Sequence, residues 1–157
     1  MIVCIGNSLA GDDAAGGAVF EALTKEGLGH REKVFLLGTS GIQLLDLLEA
    51  DDLLVIVDAV QLGQPPGTIH VLDWDRLPRP GGAAVTPHGL GVREVIELGR
   101  ILYNERMPRE VVLVGVEGRN FSELGAPLSG EVAAAIPEAV AEVKRQVGRY
   151  RISCKEQ

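Results

Sequence analysis

At 157 residues the chain is sized for one domain, which removes roughly 70% of its unfolded surface from water without disulfides or metals to staple it. The hydrophobic fraction is 46% and the aromatic fraction 4%, so the core must be built from Val, Leu, Ile and Ala, the material of buried parallel strands and their covering helices. A formal net charge of -7 argues against nucleic acid and anionic membrane as partners, because both would repel the protein.

No apolar run approaches the ~20 residues of a membrane span. No basic n-region precedes the first apolar run, so a soluble, cytoplasmic protein is predicted. Cys4 and Cys154 are two lone thiols, one inside an apolar run and one in a polar tail, and form no disulfide framework.

In chain order, Met1 to Gly6 predicts a buried strand ending in Gly6-Asn7. From Asp12 the period becomes helical, with Ala15, Ala18, Val19, Ala22 and Leu23 on one face, Asp12 as N-cap and Gly27 and Gly29 as stops. Val34 to Leu37 is a second strand, followed by the turn-rich Gly38-Thr39-Ser40-Gly41 and a short helix through Leu48. Leu53 to Val57 gives the strongest strand signal and runs directly into Asp58.

Gln61 to Thr68, with two prolines and two glycines, is a loop too short for a βαβ crossover. Ile69 to Trp74 is therefore predicted as an antiparallel edge strand in a hairpin arrangement. A loop over Leu77 to Ala84 leads to Thr86-Pro87-His88-Gly89, and a helix with Leu90, Val92, Val95, Ile96, Leu98, Ile101 and Leu102 on its buried face follows. Val111 to Val116 is another apolar strand, ending in Glu117-Gly118. Val132, Ile136, Val140, Val143 and Val147 mark the last helix, which Pro137 is expected to break into a short turn and a new start. The whole predicts a three-layer α/β/α sandwich over residues 1–150, with a mostly parallel sheet of about five strands, and a polar tail over 151–157.

In such sheets sites lie beyond the carboxyl ends of the strands. Asn7, Asp12, Asp13, Gly38, Thr39, Asp58 and Glu117 all follow strand ends, and the loop of His88 can fold over the same edge. A dinucleotide site is disfavoured: the loop lacks the central glycine of G-x-G-x-x-G and places Asp12 and Asp13 where phosphates would sit. No serine stands in a G-x-S-x-G elbow, and a mid-strand Cys4 is a poor thiolate. Two carboxylates and a neutral imidazole from three loops do make a reasonable divalent-metal set, with positions left open for water or substrate. The same acids also suit helix capping and the helix dipole, and Glu117 reads as structural.

The ordered segments Gly6-Asn7-Ser8-Leu9-Ala10-Gly11-Asp12-Asp13-Ala14-Ala15-Gly16, Gly38-Thr39-Ser40-Gly41, Val57-Asp58-Ala59, Pro65-Pro66-Gly67-Thr68, Thr86-Pro87-His88-Gly89-Leu90-Gly91, Gly115-Val116-Glu117 and Leu128-Ser129 with Ala133-Ala134-Ala135-Ile136-Pro137 resemble the nickel–iron hydrogenase maturation endopeptidases. The resemblance covers nearly the whole chain. It implies an α/β/α sandwich and an endopeptidase that trims a C-terminal extension from the hydrogenase large-subunit precursor after nickel has entered. It implies Asp13, Asp58 and His88 as the catalytic, metal-contacting residues, with nickel contributed by the precursor. Asp12 carries no ligand role by this resemblance. Asn7, Asp12, Gly38, Thr39 and Gly41 are expected to support the site or touch substrate. Where many relatives carry an acid before Gly-Thr, this chain has Leu36-Leu37, which leaves the hydrogenase class open. Two other readings use the same residues: a non-catalytic escort for the metal-loaded precursor, and a metallohydrolase with its own ion.

Overall fold

The computed structural model describes residues 1–28, 32–38, 41–74 and 92–153. Thr39, His88, Cys154, the loop predicted over 77–84 and the end of the predicted tail lie outside them. Five strands, β1 (Ile2–Ile5), β2 (Val34–Leu37), β3 (Leu53–Val60), β4 (Ile69–Asp73) and β5 (Glu110–Glu117), form one sheet in the order β2-β1-β3-β5-β4. All pairs are parallel except β4 with β5. The helices are α1 (Ala15–Lys25), α2 (Leu44–Leu47), α3 (Val92–Leu102) and α4 (Gly130–Ser153).

Alternation along the strands sorts the core into two layers. Ile2, Cys4, Val55, Val57, Val112, Val114 and Val116 pack with Val19 and Leu23 of α1 and Val132, Val140 and Val143 of α4. Val3, Ile5, Leu54, Ile56, Val111 and Leu113 pack on the other face with Leu44, Leu48, Val92, Val95, Ile96 and Trp74. Each fully buried Val, Leu or Ile contributes about 1.5–3 kcal/mol, which is why an aromatic-poor chain still closes a core. Among the described residues, no helix is long and apolar enough to cross a membrane.

Four expectations need correction. The strand predicted to end at Val57 runs on to Val60, because β5 pairs with it through Val60↔Glu117; Asp58 therefore lies inside β3, opposite Gly115. The antiparallel edge strand does not form a hairpin with β3. It passes the end of β5 and pairs on that strand's far side, Ile69↔Val116 to Asp73↔Val112, leaving β3 parallel-paired on both edges. Pro137 does not break the last helix: α4 is continuous and reaches Ser153, three residues into the expected tail. A proline inside a helix costs about 3 kcal/mol, from the missing main-chain hydrogen bond and the clash of its ring with the preceding turn, and burial of Val132, Ala139, Val140 and Val143 along one stripe outweighs it. Finally, α1 starts at Ala15, after a 3₁₀ turn over Gly11–Ala14 that holds both acids.

The β1–β3 ladder closes at Cys4↔Val57, so Asp58 is the first residue of β3 beyond the reach of β1. From β1 the chain moves outward to β2 and then returns to β1's other side as β3. The carboxyl ends of β1 and β3 thus flank the point where strand order reverses, the usual crevice of an open α/β sheet.

Candidate functional site at the β1–β3 switch point

Where β1 ends, the chain folds back on itself at very close range. A Cβ on Gly6 would sit 2.2 Å from the Asp13 carbonyl oxygen, and one on Gly16 1.9 Å from the Ile5 carbonyl oxygen. Only glycine permits either approach, and the start of α1 is thereby pressed against the end of β1. The 3₁₀ turn between them packs against β3 and directs two neighbouring carboxylates to different tasks.

Asp13 is buried and lies at the crevice, its Oδ2 accepting the Asn7 main-chain N–H at 3.2 Å. The Asn7 side chain in turn accepts the Leu9 N–H at 3.0 Å, a local turn that sets the loop's shape. Asp12 is fully buried and points elsewhere. Its Oδ2 accepts the N–H groups of Arg119 (2.9 Å) and Asn120 (3.0 Å), its Oδ1 that of Ser129 (2.7 Å), and its own N–H donates to the Asn120 carbonyl (2.7 Å). It is not the predicted N-cap: Ala10 precedes the 3₁₀ turn, Ala14 precedes α1, and neither helix start has a side-chain cap. Burial works to raise the Asp12 carboxyl, and the N–H groups of Arg119, Ser129 and Asn120 outweigh it and hold the group below its ordinary value.

Asp58 is fully buried, its Oδ1 accepting the N–H of Ala59 at 2.8 Å. Strand alternation puts it on the same face as Ile56 and Val60, the face covered by α2 and α3. Its charge is felt at Cys4, whose thiol is pushed up to about 12 by burial first and by Asp58 second. Cys4 is therefore an inert core thiol at neutral pH, as its place in the strand predicts.

Gly38 and Gly41 follow β2 along the same carboxyl edge. Gly38 is exposed; Gly41 is buried against Val92 and Val95 of α3. Among the described residues no three His, Cys, Asp or Glu side chains form a metal-holding group, and His88 stands outside that set. The structure thus brings Asn7 and Asp13 into direct contact, sets Asp58 inside neighbouring β3 just past its ladder with β1, and turns Asp12 away from the crevice.

The comparisons bear on what such a crevice serves. A family model described as hydrogenase maturation protease matches residues 18–146. The chain is 34% identical over 143 residues to the hydrogenase expression/formation protein HupD of Thiocapsa roseopersicina, covering 89% of this chain and 63% of that protein's own length.

The chain belongs to the hydrogenase maturation protease family.

Among solved structures, the fold is similar to the nickel–iron hydrogenase maturation protease HybD of Thermococcus kodakarensis, with a TM-score of 0.77, 24% identity, and coverage of 92% of this chain and 96% of that one. It is also similar to the hydrogenase maturating endopeptidase HybD of E. coli, with a TM-score of 0.73, 26% identity, and coverage of 95% and 91%. These are peptide hydrolases with the same sheet-centred α/β architecture.

Glu117 is structural, as its place in the sequence predicts, but its partners and the part His70 plays are not legible there. Glu117, buried at the end of β5, accepts the N–H groups of Leu62, Gly63 and Gln64 at 2.9–3.1 Å. Its Oε2 lies 2.9 Å from His70 Nε2 on β4. One carboxylate thus ties down the proline–glycine loop that lets β4 skip past β3. Main-chain donors leave no residue-type signature, so only the apolar run ending in an acid hinted at it. Glu117→Ala is expected to lower the unfolding free energy by about 2–3 kcal/mol, from stranded N–H donors. Urea denaturation measures it, and an unchanged midpoint would show that the loop is held by other means.

Proposed function

We propose that this chain is the endopeptidase that removes the C-terminal extension of a nickel–iron hydrogenase large-subunit precursor after nickel insertion, and that it recognises the nickel carried by that substrate. Family membership supports the reaction class. The observation that carries the recognition step is the pair of buried carboxylates, Asp13 and Asp58, at the switch point of the sheet. Two buried carboxylates are costly to ionise unless donors or a cation meet them, and a divalent ion delivered by the substrate is such a cation.

His88 is the third member of the set. It lies four residues before Val92 in the sequence. An imidazole with two carboxylates suits nickel and leaves coordination positions for the precursor's own ligands.

In this reading the residues act by positioning. Asn7 fixes Asp13, β3 fixes Asp58, and a nickel-loaded precursor docks with its scissile bond held over the crevice, where proximity supplies a large part of the acceleration. In this reading the attacking group is a water molecule, and Cys4, buried with its thiol pushed up to about 12, takes no part. The reaction takes place in the cytoplasm.

The test is to incubate the protein with nickel-loaded and nickel-free precursor and follow loss of the extension. Cleavage of the loaded form alone is expected. Cleavage of both forms alike would remove the nickel checkpoint, and cleavage of neither would leave an escort role. Hydrolysis of small substrates with the protein's own tightly held ion would favour a conventional metallohydrolase.

A further inference from the structure

The phase of the β1–β3 ladder shows which groups border the crevice. Val55 N–H donates to the Met1 carbonyl at 3.0 Å, with Ile2↔Val55 and Cys4↔Val57 in register. The main chain of Val3 and Ile5 therefore faces β3, and that of Val55 and Val57 faces β1. Ala59 comes next in this phase, two residues past the last pair, and its N–H goes to Asp58 Oδ1 at 2.8 Å. Asn7 follows Ile5 in the same way, and its N–H goes to Asp13 Oδ2 at 3.2 Å. Both carboxylates thus take donors that the two strands turn toward each other, and Asn7 stands at the gap with them. The two-residue period that puts Val3 and Ile5 in one layer with Ile56 and Val60 also puts Asn7 on the face of Asp58.

We propose that the Asn7 side-chain amide donates a hydrogen bond from Nδ2 to the carbonyl oxygen of the scissile bond and stabilises the negative charge that gathers there during hydrolysis. This inference rests on the endopeptidase reading above and adds a catalytic residue to it.

The amide's orientation is fixed by a donor. Leu9 N–H lies 3.0 Å from Oδ1, and of the two amide atoms only the oxygen can accept it, so Nδ2 points away from the turn. Ala10 N–H to the Asn7 carbonyl at 3.1 Å closes the same turn through the main chain. Asn7 is half-buried, and among the described residues no acceptor meets Nδ2. Two N–H donors are therefore held in place beside the carboxylates. An ionised carboxylate only accepts hydrogen bonds, so of Asn7, Asp13 and Asp58 the amide is the group suited to a developing oxyanion.

In the reaction, water adds to the scissile carbonyl carbon and the C=O π pair moves onto the oxygen, where Nδ2–H meets it. When that pair returns, the C–N bond breaks, and the amine leaves with a proton from the attacking water. The full charge exists only between these steps, so the donor acts on kcat rather than on KM.

The test uses Asn7→Ser and Asn7→Asp. Both keep an oxygen that accepts the Leu9 N–H, and both lose the Nδ2 donors. Steady-state processing of the nickel-loaded precursor is followed well below each variant's thermal midpoint. Both variants are expected to lower kcat about 100-fold or more, with KM within about 3-fold of the parent and midpoints within ~3 °C.

A parental kcat in Asn7→Ser, with the parent active, overturns the proposal and leaves the endopeptidase intact, because the turn alone would then suffice. A rise in KM at constant kcat also overturns it, since the amide would then bind the ground state only. So does a fall in kcat matched by a larger loss of midpoint in both variants, which would place the effect in the fold. A parent that cleaves no precursor sinks the endopeptidase reading itself and this role with it.

Discussion

Asp58→Asn is expected to slow precursor processing by about 100-fold or more while leaving the thermal midpoint within ~3 °C of the parent. The substitution is nearly isosteric, and an amide oxygen can still accept the Ala59 N–H that Asp58 Oδ1 accepts at 2.8 Å. The negative charge is removed from a fully buried position on β3. Burying a carboxylate among Ile56, Val60 and their neighbours is a cost to folding, and Asn keeps the side chain's shape and its Ala59 hydrogen bond. Under the nickel recognition proposed above, function loses more, because a neutral amide is a poor ligand for a divalent ion. Small errors in placing the scissile bond are worth two orders of magnitude. Processing at the parental rate by a well-folded Asp58→Asn protein would remove Asp58 from the site. His88→Ala is expected to give the same separation of activity from stability, and a parental rate there would remove the imidazole from the set.

Much of the fold is legible because the strands announce themselves. Val34 to Leu37 is a strand with the predicted ends, and Ala15, Val19, Leu23, Val92, Val95 and Ile96 of α1 and α3 are buried as their period requires, whereas Ile101 and Leu102, predicted on the same face of α3, are 78% and 55% exposed at the helix's end. Misreadings arose where a decision belongs to a partner. Whether β3 stops at Val57 or Val60 is decided by β5, more than fifty residues away. Whether β4 pairs with β3 or β5 is decided by which edge is free after β3 has taken two parallel neighbours. Whether Pro137 ends a helix depends on how much apolar surface lies on both sides of it.

The site divides in the same way. Asn7 and Asp13 are close in the chain, and the loop glycines point to their contact. Asp58 is visible as an acid after an apolar run, and the resemblance singles out the same residue. The partners of Asp12 and Glu117 are main-chain N–H groups of remote loops, which any residue type supplies, so composition carries no trace of them.

Asp12→Ala is expected to destabilise the protein by about 3 kcal/mol or more, since it strands the N–H groups of Arg119, Asn120 and Ser129 that now converge on one buried carboxylate. The pH dependence has a definite sign. Hydrogen bonds hold the folded Asp12 carboxyl below its ordinary value, despite burial, so the unfolded chain takes up a proton first as the solution is acidified. The stabilisation is complete above the unfolded pKa of about 3.9 and is lost as pH falls through the depressed folded value. Between pH 5 and 2 the parent should therefore lose thermal stability more steeply than Asp12→Asn, which has no proton to gain at this position. Parallel curves would show that the carboxylate's charge contributes nothing through these three donors.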